Sequence, residues 1–149
     1  MMWESFGEQE TAALGRELAA QVKPGDILLL EGDLGVGKTV FAKGFAEGLG
    51  ITEPITSPTF TLIQEYEEGR LPLYHFDVYR IADEEEMYEI GYESYFFGQG
   101  VCLIEWASRI PGLLPDDCRT VRIQKDLKRG FDYRRIELVD GIALLQGDE

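Results

Sequence analysis

Gly32-Asp33-Leu34-Gly35-Val36-Gly37-Lys38-Thr39 fits the spacing G-x-x-x-x-G-K-[ST], the Walker A phosphate-binding loop. Its flanks fit as well. Ile27-Leu28-Leu29-Leu30 is a compact apolar run that reads as a buried strand, and Val40, Phe41, Gly44, Phe45 and Leu49 recur beyond the loop at helical spacing. Strand, glycine-rich turn and helix are the order that phosphate binding requires. Gly32, Gly35 and Gly37 let the main chain curl round phosphate oxygens where a Cβ would collide, and the amide N–H groups then point inward. The helix beginning near Gly37 adds unpaired N–H groups and the positive end of its dipole. Lys38 would bridge the β- and γ-phosphates, and Thr39 would set its hydroxyl on Mg²⁺. The plainer alternative, a glycine-rich turn with a solvated lysine, does not account for the strand and helix on either side.

Composition narrows the rest. A chain of 149 residues, 44% hydrophobic and 28% charged, is expected to form one soluble domain over residues 1–149. The longest aliphatic run, Ile27 to Leu30, is far too short for a membrane span, and Met1-Met2-Trp3-Glu4 has no signal-peptide character. Cys102 and Cys118 are too few for a disulfide framework or a zinc site, so a reduced, cytoplasmic setting is expected. A net charge of −14 argues against a stand-alone nucleic-acid binder. The charge is uneven, however. Half of the lysines and arginines lie between Arg119 and Arg135, either as a local anion or RNA contact or as the solvated face of two strands and their turn.

Glu8 to Val22 reads as an amphipathic helix, with Leu14, Leu18 and Val22 stacked and Thr11 and Gly15 on the same side. Pro24-Gly25-Asp26 turns the chain into the phosphate-loop strand. Phe60 to Tyr66 and Leu71 to Asp77 form a predicted antiparallel hairpin. Asp83 to Glu86 opens a short helix, Val101-Cys102-Leu103-Ile104 is a second buried strand, and Thr120 to Ile123 with Tyr133 to Val139 make a final strand pair. The expectation is α/β: a three-layer P-loop NTPase domain with a mixed, mainly parallel central sheet and antiparallel edge hairpins.

A Walker A loop needs an acid at the end of a neighbouring strand. Asp77 closes Tyr74-His75-Phe76, and Glu105 closes the apolar run 101–104. Glu105 is the cleaner match for the metal, directly or through water, leaving Asp77 to support or activate. Thr56-Ser57-Pro58-Thr59-Phe60-Thr61 follows the loop helix where switch segments lie; its hydroxyls either sense the γ-phosphate or simply belong to a stiffened polar turn. His75, the only histidine, reads first as a packed, hydrogen-bonded residue. Trp106 either covers the site, meets a partner or packs in the core.

Taken together, Gly32 to Thr39, Ser57-Pro58-Thr59-Phe60-Thr61, His75-Phe76-Asp77-Val78-Tyr79-Arg80 and Ile104-Glu105-Trp106, in this order and in a chain this short, resemble the TsaE (YjeE) family. Val36, Val78 and Ala107 depart from its usual Ala, Leu and Pro without removing a reactive group. The resemblance implies a P-loop ATPase of bacterial tRNA threonylcarbamoyladenosine synthesis, weak alone, docking on a TsaB–TsaD-type heterodimer and resetting it between cycles. The tRNA would be held mainly by the partners. It implies ATP and Mg²⁺ as ligands. Asp33, Leu34, Gly35, Val36, Gly37, Lys38, Thr39 and Val40 would cradle the nucleotide, with Thr39 and Glu105 on Mg²⁺. Asp77, Glu105 and Lys38 would be catalytic, and Ser57, Thr59, Thr61 and Trp106 sensitive to switching or to partners. A small-molecule P-loop kinase is the main rival, but the segment Asp83 to Phe97 is acidic and aromatic rather than an arginine-rich lid. A nucleotide-dependent binding module would differ mainly in its rate of hydrolysis.

Overall fold

The computed structural model describes residues 1–33 and 35–143. Among them, seven strands form one sheet: β1 (Met2–Ser5), β2 (Ile27–Glu31), β3 (Ile63–Tyr66), β4 (Leu73–Asp77), β5 (Val101–Glu105), β6 (Arg119–Lys125) and β7 (Arg134–Asp140). The spatial order is β1-β7-β6-β2-β5-β4-β3. The middle of the sheet is parallel: β2 pairs with both β5 and β6, and β4 pairs with β5. Antiparallel pairs close both edges, β3 on β4 at one side and β7 with β1 at the other. Every residue of β2 and β5 is buried, as strands covered on both faces should be.

Strand alternation divides the core in two. Leu28 and Leu30 of β2 and Leu103 of β5 face α1 (Glu8–Ala19) and α2 (Lys38–Gly48). Ile27, Leu29, Cys102 and Ile104 face the other way, onto α3 (Glu85–Glu89), α4 (Tyr92–Phe96) and the 3₁₀ turns 107–109 and 111–113. The result is the expected three-layer arrangement. No helix among the described residues is long and apolar enough to cross a membrane.

Three boundaries differ from the sequence expectation. The first helix stops at Ala19, and the carbonyls of Ala19 and Val22 accept hydrogen bonds from the Arg70 guanidinium instead of extending the helix. The hairpin strand begins at Ile63 because Leu62 takes a left-handed conformation at φ 71°. The short acidic helix is two helices, broken at Gly91 with φ 69°. The edge strand β1 has no counterpart in the sequence reading.

α1 and α2 pack at backbone distance. A Cβ on Gly44 would lie 2.1 Å from the Ala12 carbonyl oxygen, and one on Gly15 would lie 2.5 Å from that of Phe41. Main-chain atoms cannot move aside as a flexible side chain would. Gly44→Ala is expected to destabilise the fold by about 2–3 kcal/mol despite alanine's better helix propensity, measured by urea denaturation.

Candidate functional site

The carboxyl ends of β2, β5 and β4 open into a cleft of about 330 Å³. Gly35, Gly37, Lys38, Thr39 and Val40 form one wall, Ser57 and Thr59 a second, and Asp77, Glu105 and Trp106 complete it. This is where an open α/β sheet binds ligands, since β2 lies between two parallel neighbours from which the chain departs in different directions. Glu8, at the start of α1, also lines the cleft, a placement that its helical period alone does not signal. A larger cavity of about 600 Å³ lies at the far end of α2, along Gly50 to Ile55, but neither Asp77, Glu105 nor the phosphate-loop glycines line it.

The loop has the shape that its glycines allow. Gly37, the residue before α2, sits at φ 109° with open space where a Cβ would be. At Gly32 a Cβ would run into the Ile123 carbonyl and the Val36 side chain. Asp33 is exposed, its carbonyl accepting the Val36 N–H, and Val36 is buried in the α1–α2 core rather than lining the cleft. Leu34 lies outside the described residues. Lys38 is buried, with its ammonium 4.3 Å from the centre of the Trp106 ring.

Asp77 and Glu105 stand directly opposite each other in the parallel β4–β5 register, and Leu30 of β2 is opposite Glu105 on the other side. Alternation turns both acids to the α1–α2 face, as it does Leu73 and Leu103 two or four residues earlier. The Asp77 carboxylate accepts the Tyr79 N–H at 3.0 Å and the Thr59 hydroxyl at 3.4 Å, and Thr59 shares a 2.7 Å bond with Ser57. Thr61 is turned elsewhere, accepting from the Gln64 amide. His75 is buried as expected, but its Nε2 lies 2.7 Å from the Glu105 carboxylate, a pairing 30 residues apart that periodicity does not reveal.

Trp106 follows Glu105 in a left-handed conformation at φ 63°, uncommon for a bulky side chain. With Leu62 it is one of two such non-glycine residues among the described ones, and both border the segments that carry the acids and hydroxyls. Strain of this kind gathers at functional sites. Its ring lies against Tyr79, over which Arg109 is placed in turn. Burial pushes the Cys102 thiol up to about 12, which disfavours its thiolate.

The basic stretch resolves mostly into ion pairs. Arg119 meets Asp26, Arg122 and Arg135 meet Glu137, and Arg129 meets Glu4. Arg134 does something different. Its Nε donates to the Val36 carbonyl at 2.7 Å, while Nη1 donates to the carbonyls of Phe131 and Tyr133. The last strand thus braces the phosphate loop, a role with no signature in sequence because the acceptor is main chain.

These features have a family. The model described as threonylcarbamoyl adenosine biosynthesis protein TsaE matches residues 6–135. The chain belongs to the TsaE family. The tRNA threonylcarbamoyladenosine biosynthesis protein TsaE of Bacillus subtilis (strain 168) is 54% identical over 135 residues, covering 91% of this chain and 82% of that one. The protein of the same name from Treponema pallidum (strain Nichols) is 47% identical over 120 residues, 80% of this chain and 88% of that one. Among solved structures, Bacillus subtilis YdiB superposes with a TM-score of 0.80 at 46% identity, covering 96% of this chain and 86% of that chain.

Arg134→Ala is expected to weaken nucleoside triphosphate binding about tenfold, the worth of one charge-assisted bond that holds the TsaE phosphate loop in shape, as read by calorimetric titration.

Proposed function

We propose that this TsaE-family chain binds and hydrolyses ATP with Mg²⁺, docks on a TsaB–TsaD-type heterodimer and resets it between cycles of tRNA threonylcarbamoyladenosine synthesis. One observation carries the nucleotide reading: the Walker A loop and two acid-ended parallel strands converge on a single cleft. The partner reading rests on the family and on the resemblance of the four motifs.

The residues fit the ligands. Open space beside Gly35 and Gly37 leaves room for phosphate oxygens near the N-terminal amides of α2. No group of three or more acids, histidines or cysteines that could cage a metal exists among the described residues, which suits Mg²⁺, an ion that takes one or two protein oxygens and completes its shell with phosphate and water. Thr39 and Glu105 would hold it. Bound there, the ion would neutralise charge on the phosphate oxygens.

The chain's own residues divide the remaining work. Lys38 leaves the Trp106 face and donates to the phosphates as a point charge. Asp77, steadied by Tyr79 N–H and Thr59, supports or activates the attacking water. Thr59 and Ser57 link that acid to the preceding loop, so a change at the γ-phosphate has a hydrogen-bonded route to the 57–61 segment. Trp106 lines the cleft against Lys38 and Tyr79. The paired arginines of the 119–135 stretch support a role in which tRNA is held mainly through the complex.

Lys38→Ala is expected to weaken ATP binding roughly 10- to 100-fold in a titration. Glu105→Ala should keep its fold by circular dichroism and lose Mg²⁺-dependent turnover. The deciding experiment tracks the γ-phosphate of ATP with and without a TsaB–TsaD-type complex and tRNA. Free phosphate that rises with the partners supports the reading. Label appearing on a small acceptor, with no partner effect, means a kinase and overturns it.

A further inference from the structure

His75 is a costly residue for its place. It is 2% exposed, lies within β4, and its ring has one hydrogen-bond partner among the described residues, the Glu105 carboxylate at 2.7 Å. Its second ring nitrogen, Nδ1, is buried with no partner among the described residues. A buried nitrogen left without a partner is a desolvation cost that Phe or Leu at the same position would avoid. Core packing therefore gives no reason for an imidazole here. The single bond that it makes is the reason that remains.

We propose that His75 is a positioning residue that fixes which Glu105 oxygen faces the cleft. The inference rests on the reading of Glu105 as the metal-side acid. A carboxylate oxygen accepts from a ring N–H, so the bond runs from Nε2–H to Oε2. His75 and Glu105 lie diagonally across the β4–β5 pair, because His75 is opposite Leu103 and Asp77 is opposite Glu105. The imidazole thus draws one oxygen of Glu105 back toward the core and away from Asp77. Oε1 is the oxygen left for the cleft, which Glu105 lines. His75 itself is too deeply buried to touch a ligand, so it acts only through Glu105. Partners of ligating carboxylates commonly change metal affinity 10- to 100-fold when removed.

The test compares wild type, His75→Phe and His75→Gln by calorimetric titration with ADP across a series of Mg²⁺ concentrations, alongside thermal melting. His75→Phe is expected to melt no lower than wild type, to bind ADP without Mg²⁺ as wild type does, and to need about tenfold more Mg²⁺ for half-maximal enhancement. His75→Gln, whose amide restores a donor near Nε2, is expected to recover most of that loss. An unchanged Mg²⁺ requirement in His75→Phe overturns the proposal, as does equal impairment of both variants. Wild type that binds ADP without any Mg²⁺ dependence would instead refute the metal reading of Glu105, a separate failure. Should His75→Phe not fold, ¹⁵N NMR of the lone imidazole in wild type decides: a protected Nε2–H whose resonance moves with Mg²⁺·ADP supports the proposal, and an Nδ1–H tautomer overturns it.

Discussion

The parallel pairing of β2 with β5 is the constraint on which the site depends. Both strands are buried along their whole length, and their register sets Leu30 beside Glu105. One strand ends in the phosphate loop and the other in an acid. A slip of one residue would turn Glu105 to the opposite face, away from α2, and would bury it against the α3–α4 layer. The alternation of Leu28 and Leu30 against Ile27 and Leu29 forbids that slip, because each set fits a different core. The apolar interior thereby fixes the position of the polar chemistry.

Much of this was legible in the chain. Residues 27–49 declare strand, loop and helix, since glycine spacing and helical period are local signals. Asp77 and Glu105 stand out because each closes an apolar run. What stayed hidden is what depends on distant partners. β1 has only four residues at a sheet edge, with Met2 and Glu4 exposed, so no period emerges. Arg134 looked like one more cation in a basic stretch, and its acceptor is a carbonyl 98 positions away. His75 to Glu105 spans 30 residues. The left-handed turn at Trp106 has no glycine to announce it. Thr61 shares a segment with Ser57 and Thr59 but meets Gln64, because the left-handed turn at Leu62 folds the start of β3 back beside it.

The close contact of α1 and α2 gives the loop a firm base. With Gly15 and Gly44 admitting main chain to main chain, the first helix and the loop helix have little room to slide. Arg70, from the hairpin turn, ties the carboxyl end of α1 to the β3–β4 unit through the carbonyls of Ala19 and Val22, while its own N–H donates to the Leu49 carbonyl beyond α2. Rigid elements thus hold the phosphate-side wall, whereas the 57–61 segment opposite buries Pro58 but otherwise relies on hydroxyl contacts and leaves Phe60 exposed under Arg80.

The pairing of the 119–135 arginines also governs what the molecule looks like from afar. Four of the seven cations lie within 4 Å of a carboxylate and a fifth is bonded to carbonyls, so their fields are largely cancelled close to the surface. Beyond a Debye length of about 8 Å at physiological salt, an approaching molecule meets the net −14. For a polyanion that field is a barrier which added salt lowers, so encounter with nucleic acid would speed up with ionic strength. For a partner with an electropositive face the same field is a funnel, and added salt would slow the encounter. The two kinds of approach therefore carry opposite kinetic signatures, written into the surface before any contact is made.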